Sequence, residues 1–297
     1  MLKGLAITPP AVGRISIGRV VERNGKRLPE KDDQFTLTSQ VQNRDGWVLH
    51  PMDEALRKES GGKLRSIPVR LLFNDPALNL RADYSLFDRS TGRPVCVGNG
   101  ETSRRMGKEG MTQEVCPGPD GCSFALGECK AYARLNVRVG DEDELGSFVL
   151  RTTSYNTIRT LTARLAYFDA VSGGRLSCMA LELKLRGKST AMSFRSAIYY
   201  VDLVVRSGLS LDQAVAEARS LDEAHKEAGF DQMALDEAAK RGFANGAFED
   251  LADDVPAVVE EFYPEADARG PNLISKEGRP CRLSDRLQDK VAQVASG

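Results

Sequence analysis

A cysteine-rich loop constrains the fold of this chain more than any other stretch. The sequence Cys116-Pro-Gly-Pro-Asp-Gly-Cys-Ser-Phe-Ala-Leu-Gly-Glu-Cys129 places three thiols within fourteen residues, among residues that favour turns. A fourth thiol, Cys96, lies twenty residues upstream of Cys116. Such a loop has little apolar core of its own, and a thiolate-bound metal ion can hold it folded.

These thiols predict a tetrahedral zinc site, which we assign to Cys96, Cys116, Cys122 and Cys129. The gaps between them are 19, 5 and 6 residues, and they lack the paired C-x2-C spacing of a zinc knuckle. Two alternatives remain open: unliganded cysteines in a flexible loop, and His50 in place of Cys96 as the fourth ligand. Cys178 and Cys281 lie apart from the loop, and we expect them to be ordinary thiols.

The composition is typical of a folded cytoplasmic protein. With 297 residues, 41% of them hydrophobic, the chain can build one large domain or two ordinary ones. No apolar run approaches the ~20 residues of a membrane span, and the N-terminus lacks the apolar core of a secretory signal. We therefore expect a cytoplasmic protein without a membrane partner, in which reduced thiols favour a metal over disulfides.

Charge is distributed unevenly along the chain, although the net value is only −1. Residues 1–206 carry 31 Lys and Arg against 23 Asp and Glu, a net charge of +8. Residues 207–270 carry 5 against 16, a net charge of −11, and residues 271–297 carry 5 against 3, a net charge of +2. This division predicts a body that faces nucleic acid and an acidic appendage. A solvated helical segment that happens to be acidic is the alternative.

Alternating apolar and polar residues dominate the first 206 positions and predict β-strands. Clear examples are the stretches 132–139, 179–186 and 197–206. We predict an α+β fold whose body is mainly antiparallel β, either an OB-like barrel or a sandwich, with the zinc loop and one helix inserted. The segment between Gly98 and Cys129 is expected to be irregular.

Helical periodicity occurs once in the body and twice after it. Thr153-Ser154 favours a helix start, and apolar residues then recur at helical spacing as far as Gly173-Gly174. Residues 211–228 and 231–240 predict two further helices. These signals divide the chain into a β-rich, zinc-containing, DNA-associated body at 1–206, a helical appendage at 207–244, and an acidic linker and tail at 245–297 with a short terminal helix.

Basic and aromatic side chains in the body form a candidate surface for nucleic acid. A basic groove with aromatic rings can hold single strands without reading their sequence. The candidate DNA-binding residues are Tyr132, Arg134, Arg138, Tyr155, Lys184, Arg186 and Lys188. The alternative is an ordinary polar outer face with the tyrosines half in the core.

Catalytic motifs are not evident in the sequence. It contains two histidines and lacks a G-x-S-x-G elbow, a Walker A loop and an H-E-x-x-H helix. Four thiolates would also close a zinc site, which leaves no position for a water to be activated. We therefore expect no enzymatic activity, with a metal-dependent hydrolase as an alternative.

Three stretches in a fixed order resemble a known family. They are the cysteine loop with its continuation Lys-Ala-Tyr-Ala-Arg-Leu-Asn-Val, the segment Leu150-Arg-Thr-Thr-Ser-Tyr-Asn-Thr-Ile-Arg-Thr-Leu, and the strand Met179-Ala-Leu-Glu-Leu-Lys-Leu-Arg. Together they resemble the phage recombination directionality factors that partner large serine integrases. The resemblance covers about residues 65–206 and contains no single diagnostic motif.

The resemblance implies a protein that binds an integrase–DNA complex and switches the direction of recombination without exchanging strands itself. The acidic segment after residue 207 is not a feature that the resemblance accounts for. A sheet-based body with an acidic tail is also similar to single-stranded DNA-binding proteins, whose tails recruit replication or repair partners. The expected partners are therefore DNA and a recombinase or replication protein of a mobile element, and the expected cofactor is zinc.

Overall fold

The computed structural model describes residues 11–23, 26–43, 46–107, 110–141, 146–189, 197–242 and 262. The predicted terminal helix and most of the predicted acidic linker and tail lie outside these residues. Contacts divide the chain into two compact units, residues 1–264 and residues 265–297, and all of the described residues belong to the first unit.

Twelve strands form one sheet. In chain order they are β1 (Ala11–Arg23), β2 (Lys26–Asn43), β3 (Gly46–Leu49), β4 (Ser66–Leu71), β5 (Leu80–Phe87), β6 (Pro94–Gly98), β7 (Thr102–Gly107), β8 (Gly110–Val115), β9 (Lys130–Val139), β10 (Ser147–Thr152), β11 (Leu181–Lys188) and β12 (Ile198–Val205).

Five α-helices accompany the sheet in the described ranges. They are α1 (Pro51–Glu59), α2 (Pro76–Asn79), α3 (Tyr155–Ser172), α4 (Leu211–Glu227) and α5 (Gln232–Gly242), and a short 3-10 turn spans Leu176–Cys178.

Strand β9 is the centre of the sheet. One of its edges pairs with β10, and the other pairs first with β5 and then with β4. From β5 the sheet continues through β6 and β7 to β8, and from β4 it continues through β11 to β12. On the other side β10 leads through β1 and β2 to β3. The pairs β1–β10 and β2–β3 are parallel, and the remaining pairs are antiparallel.

The two faces of the sheet differ in chemistry. Leu135 and Val137 of β9 face the main hydrophobic core, together with Leu150 of β10 and Leu183 of β11. The other face, which we call the second face, carries the residues that alternate with them, because successive side chains of a strand point to opposite sides. In register across β10, β9 and β5 it carries Arg151, Arg134 and Arg81.

Helix α3 closes the core over the first face. Its Ile158, Leu161 and Leu165 are buried there. Ser154 caps the helix by accepting a hydrogen bond from the Thr157 N–H at 3.4 Å, and Gly173 ends it in the left-handed conformation at φ 65°. The helix predicted after Thr153-Ser154 is therefore confirmed.

The two helices after residue 207 pack on the same unit. Ala214 and Ala218 of α4 belong to the main core cluster. In α5, Asp236 accepts hydrogen bonds from the backbone N–H groups of Asn74 and Asp75 at 3.0 and 3.1 Å. Both helices are therefore held against the sheet within the described part of the chain, and their prediction from periodicity is confirmed.

The α+β class and the mainly antiparallel body are confirmed. The sheet is open, however, and is neither the barrel nor the sandwich that we predicted. Its branches end at β3, β8 and β12, and these three strands do not pair with one another in the described part of the chain. The prediction of an irregular segment after Gly98 is wrong for β7 and β8, which form a hairpin. No helix in the described ranges has the length and apolar character needed to cross a bilayer.

Candidate metal centre and candidate nucleic-acid surface

Four thiols from two parts of the chain line one small cavity between β6, β7 and the loop that joins β8 to β9. They are the predicted ligands Cys96, Cys116, Cys122 and Cys129. The cavity has a volume of about 10 Å³, which is about the space that one water-sized sphere occupies. The fold therefore brings Cys96 to the three thiols of the loop, across the β7–β8 hairpin that separates them in sequence.

Backbone contacts explain how the first two thiols reach the cavity. Cys96 lies in β6 opposite Arg105 of β7. Cys116 follows β8 directly, and its N–H donates to the carbonyl oxygen of Glu101 at 2.9 Å. Gly98 leaves room for the Cys116 sulfur, since a Cβ on Gly98 would lie 2.7 Å from it.

The cavity is electrostatically unfavourable for bare thiolates. Burial, together with the nearby Cys122, Cys96 and Cys116, raises the pKa of the Cys129 thiol to about 11. Like charges at close range cannot ionise together unless a cation compensates them. A bound divalent cation would reverse this balance, because it stabilises the thiolate form.

The four sulfurs converge, but they do not form a finished coordination cage. Among the residues that the structure describes, no group of three or more His, Cys, Asp and Glu side chains is arranged so that it could hold a metal ion. Convergence on one cavity and the soft thiol donors fit zinc. The coordination itself therefore stays a prediction.

His50, the alternative fourth ligand, has a different position. It is the N-cap of α1, and its Nδ1 accepts a hydrogen bond from the Met52 N–H at 3.2 Å. Its ring packs edge-on against Phe148 at 4.9 Å, and burial lowers its pKa. It is not among the side chains that line the cysteine cavity.

The outer wall of the cysteine loop is apolar and exposed. Phe124 lies under the guanidinium of Arg105 at 3.9 Å, a cation–π contact. Leu126 is 87% exposed and has a positive φ of 47°, which is unfavourable for a residue with a branched side chain. The contact between Arg105 and Phe124 was not expected from the sequence, because the two residues belong to separate segments.

The predicted DNA-binding residues fall into two sets. The first set lies where the β11–β12 hairpin meets α3, and we call it the β11–α3 surface; it comprises Tyr155, Lys184, Arg186 and Lys188, to which the structure adds Arg164. Lys188 Nζ lies 2.7 Å from Asn156 Oδ1, next to Tyr155, whose side chain is 63% exposed. The hairpin end and the start of α3 thus share one surface.

Two carboxylates partly neutralise the β11–α3 surface. Asp202 of β12 is buried, and its two oxygens accept from Arg164 Nε at 2.9 Å and Arg186 Nε at 3.2 Å. The hydrogen bond that Arg164 donates to Asp202 raises the pKa of Arg164. Lys184 Nζ lies 3.5 Å from Glu182. Four cations against two anions leave a net charge of about +2, a modestly basic surface.

The second set, Tyr132, Arg134 and Arg138, lies on the second face of the sheet. Tyr132 is 2% exposed and Arg134 is 8% exposed. Arg138 pairs in register with Arg70 of β4. Tyr132 and Arg134 are therefore much less accessible than Arg186, whereas Arg138 is half-buried, as Lys184 is.

A separate cleft of about 550 Å³ lies where α4 meets α5. Cys178 and His225 approach there, with 4.0 Å between Sγ and Nδ1. Burial raises the pKa of Cys178, so the thiol is not activated as a nucleophile would be. Asp222, which also lines the cleft, is held by Arg175 and Lys226 at 2.9 and 2.7 Å.

Comparison with known proteins assigns most of the described sheet to one family. Comparisons with curated proteins and with solved structures give no significant match. A family profile described as Gp3-like, recombination directionality factor-like, matches residues 12–206. The match includes the cysteine loop, α3 and the β11–β12 hairpin, and it confirms the resemblance found in the sequence. The chain belongs to the Gp3-like family of recombination directionality factor-like proteins.

Proposed function

We propose that the protein is a recombination directionality factor of a phage or related mobile element. It acts in the cytoplasm on an integrase–DNA complex and changes which pair of DNA sites the integrase recombines. It supplies contacts rather than chemistry, because strand exchange belongs to the integrase. The observation that carries this proposal is the family match over residues 12–206, which spans the sheet from β1 to the end of β12.

A recombination assay tests the proposal. The test requires a large serine integrase from the same mobile element, purified with its integration and excision substrates. Adding the protein should suppress recombination of the integration substrates and permit recombination of the excision substrates. The same integrase without the protein is the control. If both reactions keep their rates over a full titration, the proposal fails.

We propose that zinc stabilises the cysteine loop in this function. The supporting observation is that the four thiols line one cavity. Cys96, Cys116, Cys122 and Cys129 would hold the ion as thiolates, and the ion would compensate their charge. Elemental analysis of protein purified under reducing conditions should find about one zinc per chain, and its absence contradicts this part of the proposal.

Single-stranded DNA binding is the second candidate function. It is favoured by the β11–α3 surface, where Lys188 donates a hydrogen bond to Asn156, the chain neighbour of the exposed Tyr155. Such a surface would track phosphates and stack a base, and its affinity would fall steeply with salt. The modest net charge of this surface favours weak binding to free DNA, as is expected of a factor that acts through an integrase.

The two candidates differ in one measurable way. A single-strand binding protein binds oligonucleotides tightly in the absence of any integrase. A directionality factor binds free DNA weakly and gains affinity when the integrase is already on its site. Electrophoretic mobility shifts of labelled single-stranded and site-containing duplex DNA, with and without integrase, separate these outcomes.

A further inference from the structure

One aromatic residue from the acidic part of the chain is buried on the second face of the sheet. Phe262 is fully buried, with 0% exposure, and is the one residue after Gly242 that the structure describes. Its ring packs edge-on against Phe87 at 4.8 Å and against Tyr132 at 6.1 Å. Such edge-to-face geometry is the favourable arrangement of aromatic rings.

Four residues form the socket around this ring, namely Phe87, Val97, Lys130 and Tyr132. Phe87, Val97 and Tyr132 form one buried cluster with Phe262, separate from the main core. Lys130 Nζ donates to the carbonyl oxygen of Phe262 at 3.1 Å and lies 5.2 Å from the centre of its ring. The socket therefore recognises both an aromatic side chain and the backbone that carries it.

Basic side chains border the socket on both sides. Arg104 of β7 pairs directly with Val97. Arg134 follows Tyr132 by two positions, on the same face and about 7 Å along the strand. Asp83 of β5, which pairs with Tyr132, is an acidic residue on the same face, so a ligand that places a phenylalanine in the socket meets a border with two arginines and one carboxylate.

The sequence around Phe262 matches this charge. Glu260 and Glu261 directly precede it, and Glu265 follows three residues later. Residues 243–268 contain no Lys or Arg and eight acidic residues, which are Glu249, Asp250, Asp253, Asp254, Glu260, Glu261, Glu265 and Asp267.

We propose that Phe87, Val97, Lys130 and Tyr132 form a binding site for an acidic peptide with one phenylalanine, and that the chain's own segment around Phe262 is its occupant. The occupant brings negative charge to the face that carries Arg134 and its neighbours. It therefore competes with any other anion for this face. The peptide site itself does not depend on the proposed function. Only the identification of DNA as the competing anion rests on it.

Limited proteolysis of the full-length chain tests the occupancy without DNA or integrase. A glutamate-specific protease cuts after Glu260 and Glu261 only when the segment is released. Phe262→Ala should speed this cleavage roughly tenfold, since the buried ring is worth a factor of that order. Phe230→Ala is the matched control, because Phe230 lies just before α5 and is 47% exposed. Equal cleavage rates of the wild type and Phe262→Ala would overturn the proposal.

A peptide-binding experiment distinguishes loss of the occupant from loss of the fold. The probe is a fluorescein-labelled peptide of residues 256–268, and the measurement is its anisotropy with each full-length protein. It should bind Phe262→Ala, whose socket is empty, at least roughly tenfold more tightly than the wild type, whose socket is filled. Binding to neither protein, or equal binding to both, contradicts the proposal.

Competition with DNA is measured separately. Phe262→Ala should bind a single-stranded oligonucleotide more tightly than the wild type at low salt, and Phe230→Ala should not. If proteolysis and peptide binding behave as expected but DNA affinity is unchanged, the site stands and DNA is not the competing anion. The full chain is used throughout, because truncation after residue 206 would remove Ala214 and Ala218 from the core.

Discussion

A side chain on Gly98 would come within 2.7 Å of the sulfur of Cys116. The same added atom would lie 2.8 Å from the Cβ of Ser103 and 3.0 Å from the carbonyl oxygen of Thr102, so it has no direction in which to move. Contacts this short require the backbone of β6 or β7 to shift. The absence of a side chain at Gly98 is therefore a condition for Cys116 to reach the cavity.

Gly98→Ala should weaken metal binding without removing any thiol. The added methyl displaces Cys116 and should also destabilise the fold by about 1–3 kcal/mol, as overpacking does. Zinc content and urea unfolding are the measurements. Gly107→Ala is the matched control, since its nearest contact in the same hairpin would be 3.4 Å. A Gly98→Ala protein that retains full zinc affinity would show that the position of Cys116 is unimportant.

Cys122→Ser should lose the metal and lower the midpoint of thermal unfolding. The loss follows from removing one of four thiolates, because metal binding contributes directly to the folding free energy of such a loop. The controls are Cys178→Ser, which removes a buried thiol far from the cavity, and Cys281→Ser. Both should retain about one zinc by elemental analysis. Equal zinc content in all three variants would contradict the predicted ligand set.

Lys188→Gln should weaken oligonucleotide binding and reduce its salt dependence. Lys188 lies beside Tyr155 on the β11–α3 surface, and removing one phosphate contact lowers the slope of log K against log salt by roughly one. Fluorescence titrations at several salt concentrations give this slope. Lys58→Gln carries the same charge change on α1, where Lys58 pairs with Glu54 at 2.9 Å, and should leave the slope unchanged. Identical slopes for the two variants would remove Lys188 from the DNA surface.

Asp141→Asn should destabilise the protein near neutral pH and much less in acid. Hydrogen bonds from Arg206 and Arg70 hold the pKa of this carboxyl at about 2, below its usual 3.8. Because the folded-state pKa is the lower one, the ionised carboxylate stabilises the fold above about pH 4, and this contribution is lost as the pH falls towards about 2. The side chain is half exposed, so the effect should be about 1 kcal/mol or less.

Urea unfolding of Asp141→Asn and the wild type at several pH values checks the sign. The difference in unfolding free energy should shrink as the pH falls through this range. Glu223→Gln is the matched control, because Glu223 is an exposed residue of α4. A difference that grows in acid would contradict the assignment of the Arg206 and Arg70 contacts.

Local patterns predicted the elements whose two sides differ in chemistry. The alternation of Leu135, Val137 and Val139 with Arg134 and Arg138 gave the correct faces of β9, because one side of that strand is in the core. The Ser154 cap was also predictable, since its side chain accepts from the backbone N–H of Thr157, three residues later. Both signals depend on neighbours within a few positions of the chain.

The β7–β8 hairpin lacks such a signal. Every residue of β8 after Gly110 is exposed, so no apolar alternation marks it as a strand. In the described part of the chain β8 pairs with β7 alone, and β7 in turn pairs with β6. Short polar strands of this kind look irregular in a sequence. The β7–β8 hairpin also brings Cys96 to the loop thiols. The spacing of the cysteines along the sequence therefore does not show how closely they approach in the fold.

The division of the basic residues between two surfaces could not be predicted either. Tyr132 and Arg186 both alternate with core residues, and the sequence alone treats them alike. Their exposure differs because Phe262, 130 residues after Tyr132, covers the first and not the second. Long-range burial of this kind is set by the whole fold and has no local pattern.

The parallel pairing of β1 with β10 has a consequence for how the chain reaches its final form. Gly13 is opposite Phe148, and a Cβ on Gly13 would lie 2.4 Å from that ring, so the two strands fit closely. During synthesis the edge of β1 that faces away from β2 has no partner until β10 has left the ribosome, more than a hundred residues later. Closing so long a loop is entropically costly and slows folding. We therefore expect the antiparallel strands β5 to β8 to form early, and the N-terminal hairpin to join the sheet last.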